Sequence, residues 1–296
     1  MPCLGDGART LGAVPACTDD GAVVPALESL QPAADGRAVV YASLCNEPRA
    51  NLYAADAGGA ITRLTRGTAQ QTEPRRSPDG KMLAYVQAPA TGLSCKGCPS
   101  SLEVADADGA HARQLTSPPD CSFDTDPSWS PDATRLVFAH ASCDEPPGLL
   151  IVSVGSGASL DLHVRGASPA WGPQRIAYLD PGTAPTSVWT MLPDGSGRMR
   201  VGTTVGGCGP AWSGDGRLAF CTGAAAVEIV AGARATTVAL PFARVASLAW
   251  SPDGSRFAVA ARPRGGAALD VFTVALDGTD VRRLTTNLDA LSVDWR

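Results

Sequence analysis

The pair Cys95-Lys96-Gly97-Cys98 has the spacing of half a zinc site or of a redox dithiol. Zinc would need a second Cys or His pair, and the three histidines, His111, His140 and His163, have no ligand spacing. Haem attachment would need a His after the second Cys, where Pro99 stands. A serine nucleophile would need a Gly-x-Ser-x-Gly elbow, and Ser156 has only Gly155-Ser156-Gly157. His140 shows no partner for base catalysis. Asp106 and Asp108 imitate the start of a calcium loop that lacks its later Glu. What remains is a non-recurring set of charges: Glu73, Asp124, Asp126, Asp289 and Asp294 with Arg75, Arg76 and Arg244. Such a set is either solvated and mutually paired or a surface for a partner's peptide, an oligosaccharide or a cation such as calcium. The partner reading is the expectation, with no catalytic residue and no cofactor.

The elements that must carry these residues follow from composition and repetition. The chain of 296 residues is 44% hydrophobic, enough to bury a sizeable core. It holds 22 Arg to 2 Lys and 23 Asp to 6 Glu, with 32 Gly and 24 Pro, so helix formers are scarce and turn formers abundant. Apolar and β-branched clusters of strand length lie between the turns, which points to an all-β fold. The net charge of -5 and the absence of a basic block exclude a nucleic-acid partner. No apolar run is long enough to span a membrane.

One unit repeats. Arg76-Ser77-Pro78-Asp79-Gly80, Trp129-Ser130-Pro131-Asp132-Ala133 and Trp250-Ser251-Pro252-Asp253-Gly254 each precede an apolar strand. Weaker copies are Trp212-Ser213-Gly214-Asp215-Gly216, Trp171-Gly172-Pro173 and Pro32-Ala33-Ala34-Asp35-Gly36, and Trp295 is a last anchor. The intervals run from 38 to 53 residues, the length of a four-stranded propeller blade, and there are six of them. The expected fold is therefore a six-bladed β-propeller over residues 22–296, closed by the C-terminal strand, after an extension over residues 1–21.

At these turns the chain resembles the C-terminal propeller of the periplasmic TolB proteins, whose blades carry Pro-x-Trp-Ser-Pro-Asp-Gly before an apolar strand. The resemblance covers residues 25–296 and includes no counterpart of that family's N-terminal α/β domain. It implies a non-enzymatic module that binds an envelope or secreted protein. A carbohydrate- or cation-binding propeller, or a lyase or hydrolase acting at the channel mouth, is the alternative.

The Ser-Pro-Asp-Gly and Asp-x-Asp-Gly turns both follow outgoing strands, so they share one face. The longer connections, 88–99, 116–127, 141–148 and 204–209, form the opposite loop face, the expected functional surface. Cysteines gather there too. Folding one hairpin about Pro131 and Asp132 brings Cys121 within a residue of register with Cys143, and folding another about Gly214 and Asp215 sets Cys208 opposite Cys221. Both pairs then fall within the roughly 4.4–6.8 Å of a disulfide. Cys95 and Cys98 make a third candidate pair. Either Cys17 pairs with Cys45, leaving Cys3 as a lipid anchor, or Cys3 pairs with Cys17. Disulfides place the protein outside the cytoplasm, with a signal peptide missing from this sequence.

Overall fold

The computed structural model describes residues 39–43, 50–55, 61–89, 99–206, 208–266, 268–284 and 292–295. The 1–21 extension, Cys3, Cys17, Cys45, Cys95, Cys98 and Asp289 lie outside the described residues. There is no helix among the described residues, and each of six sheets has four antiparallel strands.

Blade one consists of β1 (Val39–Ser43), β2 (Asn51–Ala55) and β3 (Ile61–Arg63), with its inner strand supplied by β24 (Val293–Trp295). Val39 pairs with Trp295 and Tyr41 with Val293, so the two ends of the propeller lock into one sheet. Blade two is β4 (Gln70–Arg76), β5 (Met82–Ala88), β6 (Ser101–Asp106) and β7 (Arg113–Gln114). Blade three is β8 (Ser122–Trp129), β9 (Arg135–Ser142), β10 (Gly148–Ser153) and β11 (Ser159–Arg165). Blade four is β12 (Ala167–Trp171), β13 (Ile176–Asp180), β14 (Thr186–Met191) and β15 (Met199–Thr204). Blade five is β16 (Ala211–Trp212), β17 (Leu218–Cys221), β18 (Ala226–Ala231) and β19 (Arg234–Ala239). Blade six is β20 (Phe242–Trp250), β21 (Arg256–Pro263), β22 (Asp270–Ala275) and β23 (Arg282–Arg283).

The repeated turn explains itself chemically. Ser77 donates its hydroxyl to Asp79 at 2.7 Å, and Ser130, Ser213 and Ser251 do the same to Asp132, Asp215 and Asp253. The same Ser oxygens accept the N–H of Met82, Arg135, Arg217 and Arg256, adding to the backbone bonds that close each turn. Ser donation holds the carboxyls of Asp79, Asp132 and Asp253 below their ordinary value, Asp132 at about 2. These aspartates are architectural.

Apolar side chains fill the wedges between blades. Trp129, Leu136 and Phe138 of blade three pack with Val86, Leu102 and Val104 of blade two, and comparable clusters join blades one and two, three and four, four and five, and five and six. Indole N–H groups stitch the seams as well: Trp129 donates to the Arg75 carbonyl, Trp212 to that of Ala170 and Trp250 to that of Ala211. Each bond reaches back to the preceding inner strand, so the motif tryptophan fixes blade spacing by both packing and hydrogen bonding. His111 lies in the turn before β7 and bonds Asp106 at 2.6 Å.

Candidate functional site

The residue one before each motif position, on the inner strands, lines the centre of the ring: Arg75, Ser128, Ala170, Ala211, Ala249 and Asp294. With the motif tryptophans and the turn prolines they enclose a cavity of about 390 Å³. Pro78, Pro131, Pro173 and Pro252 frame it, so this cavity is on the tight-turn side of the ring rather than the loop face where the sequence placed the working surface. Alternation along a strand is the reason. The motif residue turns into the seam, and its predecessor turns to the axis. Four of these six axial residues are Ser or Ala, which leaves room at the centre.

Arg75 and Asp294 supply the charge, and they sit on adjacent blades. Arg75 donates to the Pro74 carbonyl at 2.9 Å, which holds its guanidinium at the wall. Asp294 is buried and accepts the Arg76 N–H at 2.8 Å. Trp212 closes against Gly172, where a Cβ would lie 2.5 Å from the indole ring. Gly172 replaces the Ser of the other turns, and this substitution is what lets the ring approach.

Two residues farther back along the inner strands, three before each motif position, lies a second ring of polar contacts. Glu73, Asp126 and Ser168 each precede a proline, and all three have left-handed φ values of 53°, 54° and 47° at a strand irregularity. The bulge turns each side chain toward the next blade. Glu73 accepts the Asp126 N–H at 2.5 Å, and Asp126 accepts both the N–H and the hydroxyl of Ser168 at 3.2 Å. Burial, then repulsion from Asp126, pushes the Glu73 carboxyl up from 4.5 to about 7 against the pull of the Asp126 N–H and the Arg75 charge.

Asp124 is also buried, but it turns away from the ring centre. Its carboxylate lies 2.6 Å from His140 Nδ1 on the neighbouring strand, a direct cross-strand pair. His140 therefore does have a partner, contrary to the expectation from sequence, and its ring is one-third exposed at the loop face. The bulge at Thr125 to Ser128 shifts the register by one residue and sets the two side by side. The same shift completes the Cys121–Cys143 disulfide, whose Cα atoms are 5.4 Å apart. Cys208 and Cys221 are also joined, with their Cα atoms 5.1 Å apart, as their hairpin predicts. Arg244 is exposed on β20, away from the cavity. Among the described residues no cluster of three or more His, Cys, Asp or Glu could hold a metal.

Arg75 and Asp294 are thus brought together at the cavity, Glu73 and Asp126 at a seam, Asp124 at the histidine, and Arg244 at another blade. The residues that the sequence reading missed are the axial small side chains and His140.

Comparison with known proteins agrees on the fold. No protein-family model matches the chain. The chain is 27% identical over 168 residues, 54% of its length, to the uncharacterized peptidase YuxL of Bacillus subtilis, and spans only 22% of that protein. The solved structure of TolB from Acinetobacter baumannii superposes with a TM-score of 0.68 at 18% identity, over 87% of this chain and 65% of that one. Oligogalacturonate lyase in complex with manganese superposes with a TM-score of 0.58 at 17% identity, over 85% of this chain and 74% of that one. The chain is a six-bladed propeller, and its likeness to TolB at these identities extends to the fold alone.

Proposed function

We propose that the chain is an extracytoplasmic binding module that holds a segment of an envelope or secreted protein in the cavity at the ring centre. The observation that carries this reading is the cavity itself. Its 390 Å³ falls within the roughly 300–1,000 Å³ of ligand sites, and its walls are Pro, Ala and indole with one cation and one anion. Arg75 offers a planar fork to a partner's carboxylate, and Asp294 sets a negative charge in the wall of the adjacent blade. The walls are already held by seam hydrogen bonds, so little ordering is lost on binding. The two disulfides support a location outside the cytoplasm.

A photo-crosslinking amino acid at position 214 tests this. Position 214 lines the cavity, and a Cβ there meets nothing within 4 Å. In the native envelope or secreted fraction, one dominant protein should be captured and lost on Arg75→Glu. Capture that is indifferent to Arg75, or none above background, overturns the reading.

A second reading rests on Asp124 and His140. A buried carboxylate on Nδ1 orients the imidazole and leaves Nε2 as a base, an arrangement suited to proton abstraction or hydrolysis at the loop face. The lyase of similar fold and the peptidase that the chain partly matches make oligogalacturonate and peptides the substrates to try. Turnover by the wild type that His140→Gln abolishes would favour this reading, and turnover indifferent to His140 would remove it.

A further inference from the structure

Blade six carries an arrangement that costs stability. Arg244 on β20 and Arg262 on β21 are direct cross-strand partners, and Arg264 follows in the next turn. All three are exposed at the loop-face end of the blade. Like charges set directly opposite each other on a sheet repel. No carboxylate among the described residues pairs with any of the three, whereas nearby Arg283 is bonded to Asp270 at 2.5 Å and Arg256 to Asp280 at 2.5 Å.

Blade three holds the opposite charge. Asp120 precedes Cys121, and Asp144 and Glu145 follow Cys143, so the Cys121–Cys143 disulfide clamps this acidic group at the loop-face end. All three are exposed, and no cation among the described residues pairs with their carboxylates. Arg165, in the same blade, reaches Gly182 of blade four instead. In a ring of six sequential blades, the third and the sixth stand on opposite sides of the axis.

That placement has a symmetry. A two-fold axis lying in the plane of the loop face, perpendicular to the line joining blades three and six, sets blade six of one copy over blade three of another, and the reverse contact forms at the same time. We propose that the loop face is a self-association surface, on which Arg244, Arg262 and Arg264 of one copy meet Asp120, Asp144 and Glu145 of a second copy in an isologous dimer. Two identical charge contacts relieve both like-charge clusters at once. The central cavities, on the tight-turn sides, then face outward at opposite ends of the dimer, which makes it bivalent toward a partner.

The test is sedimentation velocity on the full chain across a concentration series. The wild type should dimerise, with a dissociation constant that rises at least about tenfold between about 50 mM and about 500 mM salt as the charges are screened. Arg262→Glu/Arg264→Glu and Asp144→Lys/Glu145→Lys should each be monomeric and folded, with an unfolding temperature no lower than that of the wild-type monomer, since all four positions are exposed and Arg262→Glu sets an opposite charge across from Arg244. Mixing the two variants should restore a dimer, because both contacts then join opposite charges. A wild type that stays monomeric throughout overturns the proposal. So do variants that still dimerise, a mixture that does not, or a monomeric wild type whose arginines instead bind vesicles of anionic phospholipid.

Discussion

Replacing Glu73 by Gln should stabilise the protein at neutral and alkaline pH and leave it almost unchanged in mild acid. Glu73 titrates near 7 in the folded protein and at 4.5 when solvated, because the seam between blades two and three buries it beside Asp126. A carboxyl raised on folding binds its proton more tightly in the native state. Its contribution to stability is therefore fully present below pH 4.5, falls as the pH rises toward 7, and is absent above it. At about 1.4 kcal/mol per tenfold change in proton affinity, the interval corresponds to a ceiling of about 3 kcal/mol. Partial exposure of the side chain and the nearby Arg75 charge reduce that to roughly 1–2 kcal/mol. Gln keeps the shape and an oxygen to accept the Asp126 N–H, so the hydrogen bond at 2.5 Å has a substitute. Urea unfolding followed by tryptophan fluorescence, on both proteins from pH 4.5 to 8.5, reads the difference directly. Other carboxyls titrate too, and the subtraction between variants removes their common part. Parallel curves, or a variant less stable at pH 8, would refute the reasoning and show that the ionised Glu73 is held by its seam contacts rather than penalised by burial.

The clasp should be as costly to lose as a core residue: Trp295 is buried, and Trp295→Ala should destabilise by about 3–5 kcal/mol in thermal or chemical unfolding. Non-reducing peptide mapping should recover Cys121 joined to Cys143 and Cys208 joined to Cys221, and four free thiols at these positions would contradict both hairpin registers. Gly109→Ala should disrupt the seam between blades one and two, because a Cβ there would lie against the Leu64 carbonyl in a backbone with φ of 85°; a loss below about 1 kcal/mol would be inconsistent with that packing. Asp124→Ala should cost about 1–3 kcal/mol, since it leaves the imidazole of His140 without its acceptor and opens space beside β9. His140→Gln should cost less, its ring being part-exposed.

The blades were legible because each repeats one chemical solution. Ser77, Ser130, Ser213 and Ser251 all bond an Asp two residues on, so a local turn leaves a readable mark in the chain. The disulfides were legible for the same reason, being set by hairpin centres that the turns define. What stayed hidden depends on register beyond the turn. The positions that line the cavity are mostly Ala and Ser, which carry no motif, and only alternation from the motif tryptophan identifies them. Counting one residue back from each motif position would have singled out Arg75 and Asp294 as the charged pair at the axis. The pairing of Asp124 with His140 depends on a one-residue bulge between Thr125 and Ser128. A signal for that bulge does exist: Glu73, Asp126 and Ser168 all stand immediately before a proline and three residues before the motif position. The proline lacks an N–H, so the strand pairing is interrupted there in each case. The interruption re-aims the preceding side chain into the seam, which is why residues that the sequence grouped as one surface divide among the cavity, a seam and a separate histidine pair. Charge beside the motif thus has two fates, decided by whether its position falls on the bulge or one step before the motif residue, and Asp124, farther back, has a third at His140. The second of these lines the central cavity.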